Sequence, residues 1–279
     1  MDRDGQLWAP KRSWKADLTP DGEGERLAGM DTVNLKAMYN DPSQLREALA
    51  WRLFARAGVP ASRHTYAKLA LNDTYPGLFS VIEQVDKRYL KDRFMASPYF
   101  TFIPWDYDNS FGIDFFDTRW QDTDLVDWAA STASYGRRNS GGRLSRIPLV
   151  QHLLRNRDFL RYYLDHVEFL LDTELNPDAV AALIGAGGGL WDRVSRPAYL
   201  ESDTPHGSPF TGRQFTNHEV YRSNTLQEEL RRGEETAQGV VHYVRMRHDS
   251  ARAQLAALRR DHPAGSGGAA FPATLEPLP

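Results

Sequence analysis

The chain has no cysteine, which excludes disulfides, thiolate metal sites and cysteine nucleophiles. It also has no apolar run near the roughly 18 residues a membrane span needs. Charge of one sign is missing too: Lys and Arg number 34 against 37 Asp and Glu, interspersed, for a net charge of −3. That balance offers no polybasic footprint for nucleic acid or an anionic membrane. The first thirty residues are charged and broken by proline and glycine, without the apolar stretch of a signal peptide, so the chain reads as cytoplasmic. No HExxH or paired spacing occurs among the eight histidines, and no GxSxG, so zinc and nucleophile-elbow chemistry have no support. Gly185 to Gly189 (GAGGG) lacks the GK[ST] ending of a phosphate loop and reads as a helix end.

What is present is an ordinary globular composition, 41% hydrophobic and 25% charged over 279 residues, enough for a sizeable core. Ser13–Leu18 alternates as a short strand carrying Lys15, and Thr32–Met38 is a second strand. Asp41 and Pro42 predict a helix start, and Leu45, Ala48, Leu49 and Leu53 recur at helical spacing until Gly58 and Pro60. Thr65–Leu71 and Tyr75–Val81 form a hairpin about Asn72-Asp73-Thr74. A connector at Glu83–Lys87 leads to a short helix ending at Phe94, then a hairpin from Tyr99 to Trp105. Tyr135–Arg143 reads as a flexible loop.

Later segments are mostly helical. Helices open at Asp158 and Pro177, Asp192–Thr216 is irregular, and two helices, His218–Arg232 and Thr236–Arg260, close the domain. Arg247 interrupts the apolar stripe of the last helix. Residues 259–279 read as a disordered Pro/Gly/Ala tail. The fold class is α+β: a small mixed N-terminal lobe, residues 1–98, and a mostly helical half, residues 99–258.

The best chemical lead is Phe102–Gly112, FIPWDYDNSFG. Asp106 and Asp108 sit two apart beside Asn109 and Ser110, with aromatic residues on both sides. Carboxylates among apolar rings are costly alone, and a divalent cation removes that cost. Turn capping is the plainer alternative. Asp106, Asp108, Ser110 and Asp117 fall at positions 1, 3, 5 and 12 of a calcium loop, but Gly112 comes one place late and the final acid is Asp. An EF-hand fails.

The stretches KRSWKADL, NLKAMYNDPSQLREALAWRLFARAGVPASRHTYAKLALNDTYPGLFSVIEQVDKRYLKDRF and FTFIPWDYDNSFG resemble the CotH kinase family, the bacterial spore coat protein H proteins and their relatives. The resemblance runs over roughly residues 8 to 258. It implies an atypical protein-kinase-like fold that binds ATP with Mg²⁺ or another divalent cation and phosphorylates protein Ser/Thr hydroxyls. Partners would be nucleotide and protein substrate, with no nucleic acid and no membrane. By resemblance Lys15 pairs nucleotide phosphates and, with Asp106, is catalytic, while Glu47 is the lysine's ion-pair partner. Glu83, Val85 and Asp86 form the connector near the adenine; Asp106, Asp108 and Asn109 serve the metal. Taken alone, Lys15 reads as a solvated lysine, Glu47 as a surface helix acid, and Glu83 and Asp86 as salt-bridge partners of Lys87, Arg88 or Arg93.

The sequence departs from the family pattern at two places. Only Met1–Pro10 precede the Lys15 strand, and KDRF runs almost directly into MASPYFTFIPWD, where relatives carry an insertion with a catalytic-loop Asp and Asn. A degenerate member acting as a nucleotide- or protein-binding scaffold is therefore the alternative reading. A carboxylate hydrolase using Asp106 with a second acid is a third.

Overall fold

The structure, a computed structural model, describes residues 12–22, 24–38, 41–71, 74–94, 103–104, 106–114, 120–127, 148–185, 188–200, 229–232 and 235–264. The expected loop at 135–143 and the chain from residue 265 lie outside them, as does most of the expected Tyr99–Trp105 hairpin. The described residues form two compact units: one holds those up to Ser110 with 184–200, the other those of 111–183 with 229–264.

The first unit is built on an antiparallel sheet of β1 (Trp14–Asp17), β2 (Thr32–Lys36), β3 (His64–Leu71) and β4 (Thr74–Glu83), in the order β1-β2-β4-β3. Register decides its two faces, because directly paired residues point the same way. Lys15 pairs with Asn34, Asn34 with Ile82, and Ile82 with His64. In the next row on that face, Lys36 pairs with Ser80 and Ser80 with Tyr66. The opposite face is apolar, where Val33 and Val81 cluster with Met30, Ala16, Leu18, Leu35 and Ala67.

Helix α1 (Arg46–Arg56) covers the polar face. Its start differs from the expected Asp41-Pro42. Gln44 has φ +54°, which no right-handed helix accommodates, and the helix begins two residues later. Asp41 still caps: Oδ2 accepts from the Arg46 amide at 2.9 Å, while Oδ1 accepts from the Ser43 amide at 2.9 Å and from Arg46 Nη1 at 2.5 Å. Asp41 and Arg46 are both buried, so this ion pair is sealed from water. Leu45, Leu49 and Trp51 bury the apolar side of the turn and helix. α2 (Lys87–Phe94) follows the connector.

The first unit closes with α6 (Leu190–Tyr199), which packs against β4. Of the expected irregular stretch Asp192–Thr216, residues 192–199 are corrected to helix, and 201–216 lie outside the described residues. Leu190, Val194 and Ala198 recur every four residues and are all buried, and that stripe outweighs Pro197 within the helix.

The second unit contains α3 (Pro148–Arg155), α4 (Arg157–Asp172), α5 (Pro177–Ile184, up to Leu183) and α7 (Val240–Leu258). Asn156, not Asp158, caps α4, its side-chain oxygen accepting from the Asp158 and Phe159 amides at 3.0 Å each. Leu125, Leu154, Leu160, Leu164, Leu171, Ala251 and Leu255 form its core. Arg247, the break in the apolar stripe, donates Nη1 to the Thr123 carbonyl at 2.5 Å and the Gln121 carbonyl at 3.3 Å. Arg259, placed in the expected tail, pairs with Asp165 at 2.6 Å and Glu168 at 2.8 Å, so order extends past residue 258.

The bounds of the two closing helices are corrected where they are described; residues 218–228 of the first lie outside the described residues. Residues 229–232 and 235–238 are strands, β6 (Glu229–Arg232) and β7 (Glu235–Gln238), which join β5 (Ile113–Asp114) in a sheet of order β5-β7-β6. α7 therefore begins only at Val240. Pairing with Ile113 and Asp114, which lie far away in sequence, overrides the local helical pattern. Gly112 precedes that strand with φ +88°, and a Cβ there would meet Tyr243 Cδ2 at 2.7 Å.

Candidate functional site

The alternation of Thr32-Val33-Asn34-Leu35-Lys36 sends Val33 to the apolar face and leaves Asn34 and Lys36 on the face under α1. Lys36 ends β2 and reaches the loop that holds Asp106: its Nζ donates to Asp106 Oδ1 at 2.6 Å. Asp106 holds φ +64°, a left-handed conformation that few side chains tolerate and that often marks functional loops. The loop is pinned from behind. Tyr107 packs on Trp51 and Phe54 of α1, with centroids 5.5 and 4.9 Å apart, and Ser110 Oγ donates to the Tyr107 carbonyl at 2.7 Å.

Two further carboxylates bear on the same ammonium. Burial works against the charge of Lys36, but the hydrogen bond to Asp106 and the fields of Asp108, Asp106 and Glu47 outweigh it and raise its pKa. Burial, reinforced by the nearby Asp108 charge, pushes Glu47 up to about 8. Burial and Asp106 push Asp108 up to about 6. Each has an oxygen to spare: Glu47 Oε1 and Asp108 Oδ1 are buried with no hydrogen-bond partner among the described residues, and neither has Asn34 Nδ2. Once Glu47 and Asp108 ionise, one lysine facing three carboxylates leaves a surplus of negative charge in a partly dry site.

That surplus suits a divalent cation. Among the described residues no group of three or more His, Asp or Glu side chains is arranged to hold a metal ion by itself. Mg²⁺ commonly takes one or two carboxylates and fills its remaining positions with water and substrate phosphates, so the residues present fit such an ion when it arrives with a nucleotide.

The residues expected from the sequence are distributed unevenly. Glu47, Asp106 and Asp108 come together. Lys15 lies exposed on β1 and makes no ion pair among the described residues; Lys36 meets Asp106 instead. Asn109 is exposed in the turn beside Asp108. Glu83 sits buried between Arg63 and Arg93, at 2.8 and 2.7 Å, and these guanidinium groups hold its carboxyl below the usual range against the opposing effect of burial. Asp86 caps α2, its Oδ1 accepting from the Tyr89 amide at 2.9 Å. The Val85 carbonyl accepts from Gln84 Nε2 at 3.1 Å. Both connector acids are thus bound to neighbours, the salt-bridge reading for Glu83 and a cap for Asp86. Sequence reasoning missed Lys36, although its signal was present: a lysine on the inward side of an alternating strand that leads into the Glu47 helix.

Residues 5–98 match the family model of the CotH kinase protein. The N-terminal part of this chain is CotH kinase-like. The match covers about a third of the 279 residues and takes in β1 to α2, with Lys36 and Glu47 inside it and Asp106 and Asp108 beyond its end. No curated protein matches the chain. The α+β architecture, with the small antiparallel sheet first and most helices later, is consistent with a kinase-like fold, and the CotH match over the N-terminal third suggests a kinase-like protein. Among the described residues no helix is long and apolar enough to cross a membrane.

Proposed function

We propose that this chain is a CotH-like phosphotransferase that binds ATP with Mg²⁺ on the α1 side of the N-terminal sheet and transfers phosphate to protein Ser/Thr hydroxyls. The observation that carries this reading is the meeting of Lys36 with Asp106 at 2.6 Å, flanked by the unsatisfied carboxylate oxygens of Glu47 and Asp108. Phosphoryl transfer asks a protein mainly for positioning and charge neutralisation. Lys36 supplies a cation for nucleotide phosphates, in place of the Lys15 expected from the sequence. Asp106 and Asp108 hold the metal, with Asn109 at the edge of the turn. Glu47 takes over as partner of Lys36 once Asp106 engages the metal. The Glu83–Asp86 backbone borders the adenine, since both carboxylates are engaged elsewhere. Mg²⁺, when bound, neutralises charge on the phosphates.

The second reading, a pseudokinase that binds nucleotide without transfer, is favoured by one feature. Only residues 95–105 separate α2 from Asp106, where a catalytic-loop carboxylate is needed to take the acceptor proton.

Thermal unfolding with ATP and Mg²⁺ against ATP with chelator tests the shared part. A ligand at a hundredfold excess over Kd stabilises by about 2.7 kcal/mol, a visible shift. No metal-dependent shift overturns both readings. A shift followed by radiolabel transfer to protein supports the kinase; a shift without transfer supports the pseudokinase.

A further inference from the structure

Glu47 does not stand alone on α1. Ser80 Oγ on β4 lies 3.2 Å from Glu47 Oε2, and His64 Nε2 on β3 lies 2.8 Å from the same hydroxyl. Register puts Ser80 and His64 on the side of the sheet that α1 covers: Ser80 is directly opposite Lys36, and His64 is on the neighbouring row of the same face. Ser80 is fully buried and Glu47 nearly so, which makes this a polar chain within the core. Such chains are kept only at a cost unless each member is satisfied.

The hydroxyl has one proton. If Ser80 gives it to Glu47 Oε2, the remaining lone pairs accept from His64 Nε2–H, which assigns the proton on that ring to Nε2. The ring is held for this: it packs edge-on against Tyr66, centroids 4.9 Å apart at 87°, and Tyr66 OH donates to the Gln44 carbonyl at 2.7 Å, just before α1. Burial and the neighbouring Arg52 keep the imidazole neutral, down to about 3, so it acts as a donor and not as a cation. One Glu47 oxygen is thereby fixed against the sheet while the other, Oε1, has no partner among the described residues.

We propose that Ser80, oriented by His64, is a positioning residue for Glu47: it anchors Oε2 so that Oε1 is presented to Lys36 when nucleotide and metal occupy the site. This rests on the nucleotide reading above. Groups that orient a ligating or ion-pairing side chain from behind commonly influence affinity by roughly 10- to 100-fold.

The test uses the full chain and Mg–ATP as probe, with affinities measured for wild type, Ser80→Ala, Glu47→Gln and the double variant. The expected result is an affinity loss of about tenfold or more in Ser80→Ala, and no further loss when it is added to Glu47→Gln. Wild-type affinity in Ser80→Ala, or the same loss in the Glu47→Gln background, overturns the proposal. If Ser80→Ala does not fold, His64→Phe keeps the ring against Tyr66 while removing the nitrogen, and the same four-way comparison is made with it. A parallel urea-unfolding cycle on the ligand-free protein (Ser80→Ala, Glu47→Ala, both) is expected to be non-additive; additivity overturns the anchoring contact. Absence of Mg–ATP binding by wild type overturns the nucleotide reading itself, and the ligand-free cycle then decides whether Ser80 holds Glu47.

Discussion

Lys36 Nζ meets Asp106 Oδ1 at 2.6 Å across seventy residues of sequence. The pair joins the end of β2 to a loop that two aromatic contacts to α1 hold in place. Lys36 is the better sheltered of the two, Asp106 the more exposed, so on the proposed reading the carboxylate is the partner that turns toward a metal.

Lys36→Met and Asp106→Asn are each expected to abolish the Mg²⁺-dependent rise in melting temperature with ATP. Lys15→Met, on the exposed strand β1, is expected to retain most of it. Thermal unfolding of the three variants at matched ligand concentration checks this. A full shift in Asp106→Asn removes that residue from the metal site.

The Asp41–Arg46 pair holds the start of α1, and hence the neighbouring Glu47, in register. Removing one member of a buried pair costs about 3–5 kcal/mol, because a charge is left in the core without its partner. Asp41→Ala should therefore lower stability by roughly that amount in urea unfolding. A change below about 1 kcal/mol, the scale of an exposed pair, contradicts the buried arrangement.

Glu47 sets a pH dependence with a definite sign. Its folded pKa, about 8, lies above the unfolded value of 4.5, so the folded state holds the extra proton between those limits. Stability then falls as pH rises from about 4.5 to 8, by at most about 1.4 kcal/mol per unit from this group. Asp108, raised from 3.8 to about 6, adds to the lower part of that window. Glu47→Gln should flatten the slope and stabilise the ligand-free protein at pH 8; an unchanged slope in urea titrations across pH 5–8 refutes it.

Glu83 works in the opposite sense. Its carboxyl is held below its ordinary value of 4.5 by Arg63 and Arg93, so its contribution is complete above that value and is lost as acid protonates it below. Glu83→Gln should weaken the protein at neutral pH and leave less acid sensitivity below about 4.5. Denaturation midpoints at pH 7 and pH 3.5 for both forms decide this.

Local pattern was legible where local forces dominate. β1 to β4, α1 and α2 appear close to where alternation, turn residues and helical spacing put them, and the CotH resemblance rested on this stretch together with FTFIPWDYDNSFG. The Asp106 loop was legible as chemistry, from two carboxylates set among aromatic residues. Errors fell where distant contacts overrule local preference. A helix was expected across residues that β5 draws into strands, and a proline suggested irregular chain where Leu190, Val194 and Ala198 supply a buried stripe.

By itself the sequence determined the α+β class and marked Asp106 and Asp108 as acids of interest, because residue type, spacing and periodicity are local properties; Glu47 was marked only by the CotH resemblance. Only the tertiary structure decided which lysine faces them. Lys15 and Lys36 both lie on strands of one sheet, and composition does not separate them. Strand register and the fold of the loop bring Asp106 to Lys36, while Ser80 and His64 come to Glu47 by cross-strand pairing. Those are distances set by packing between segments far apart in the chain, and no local pattern encodes them.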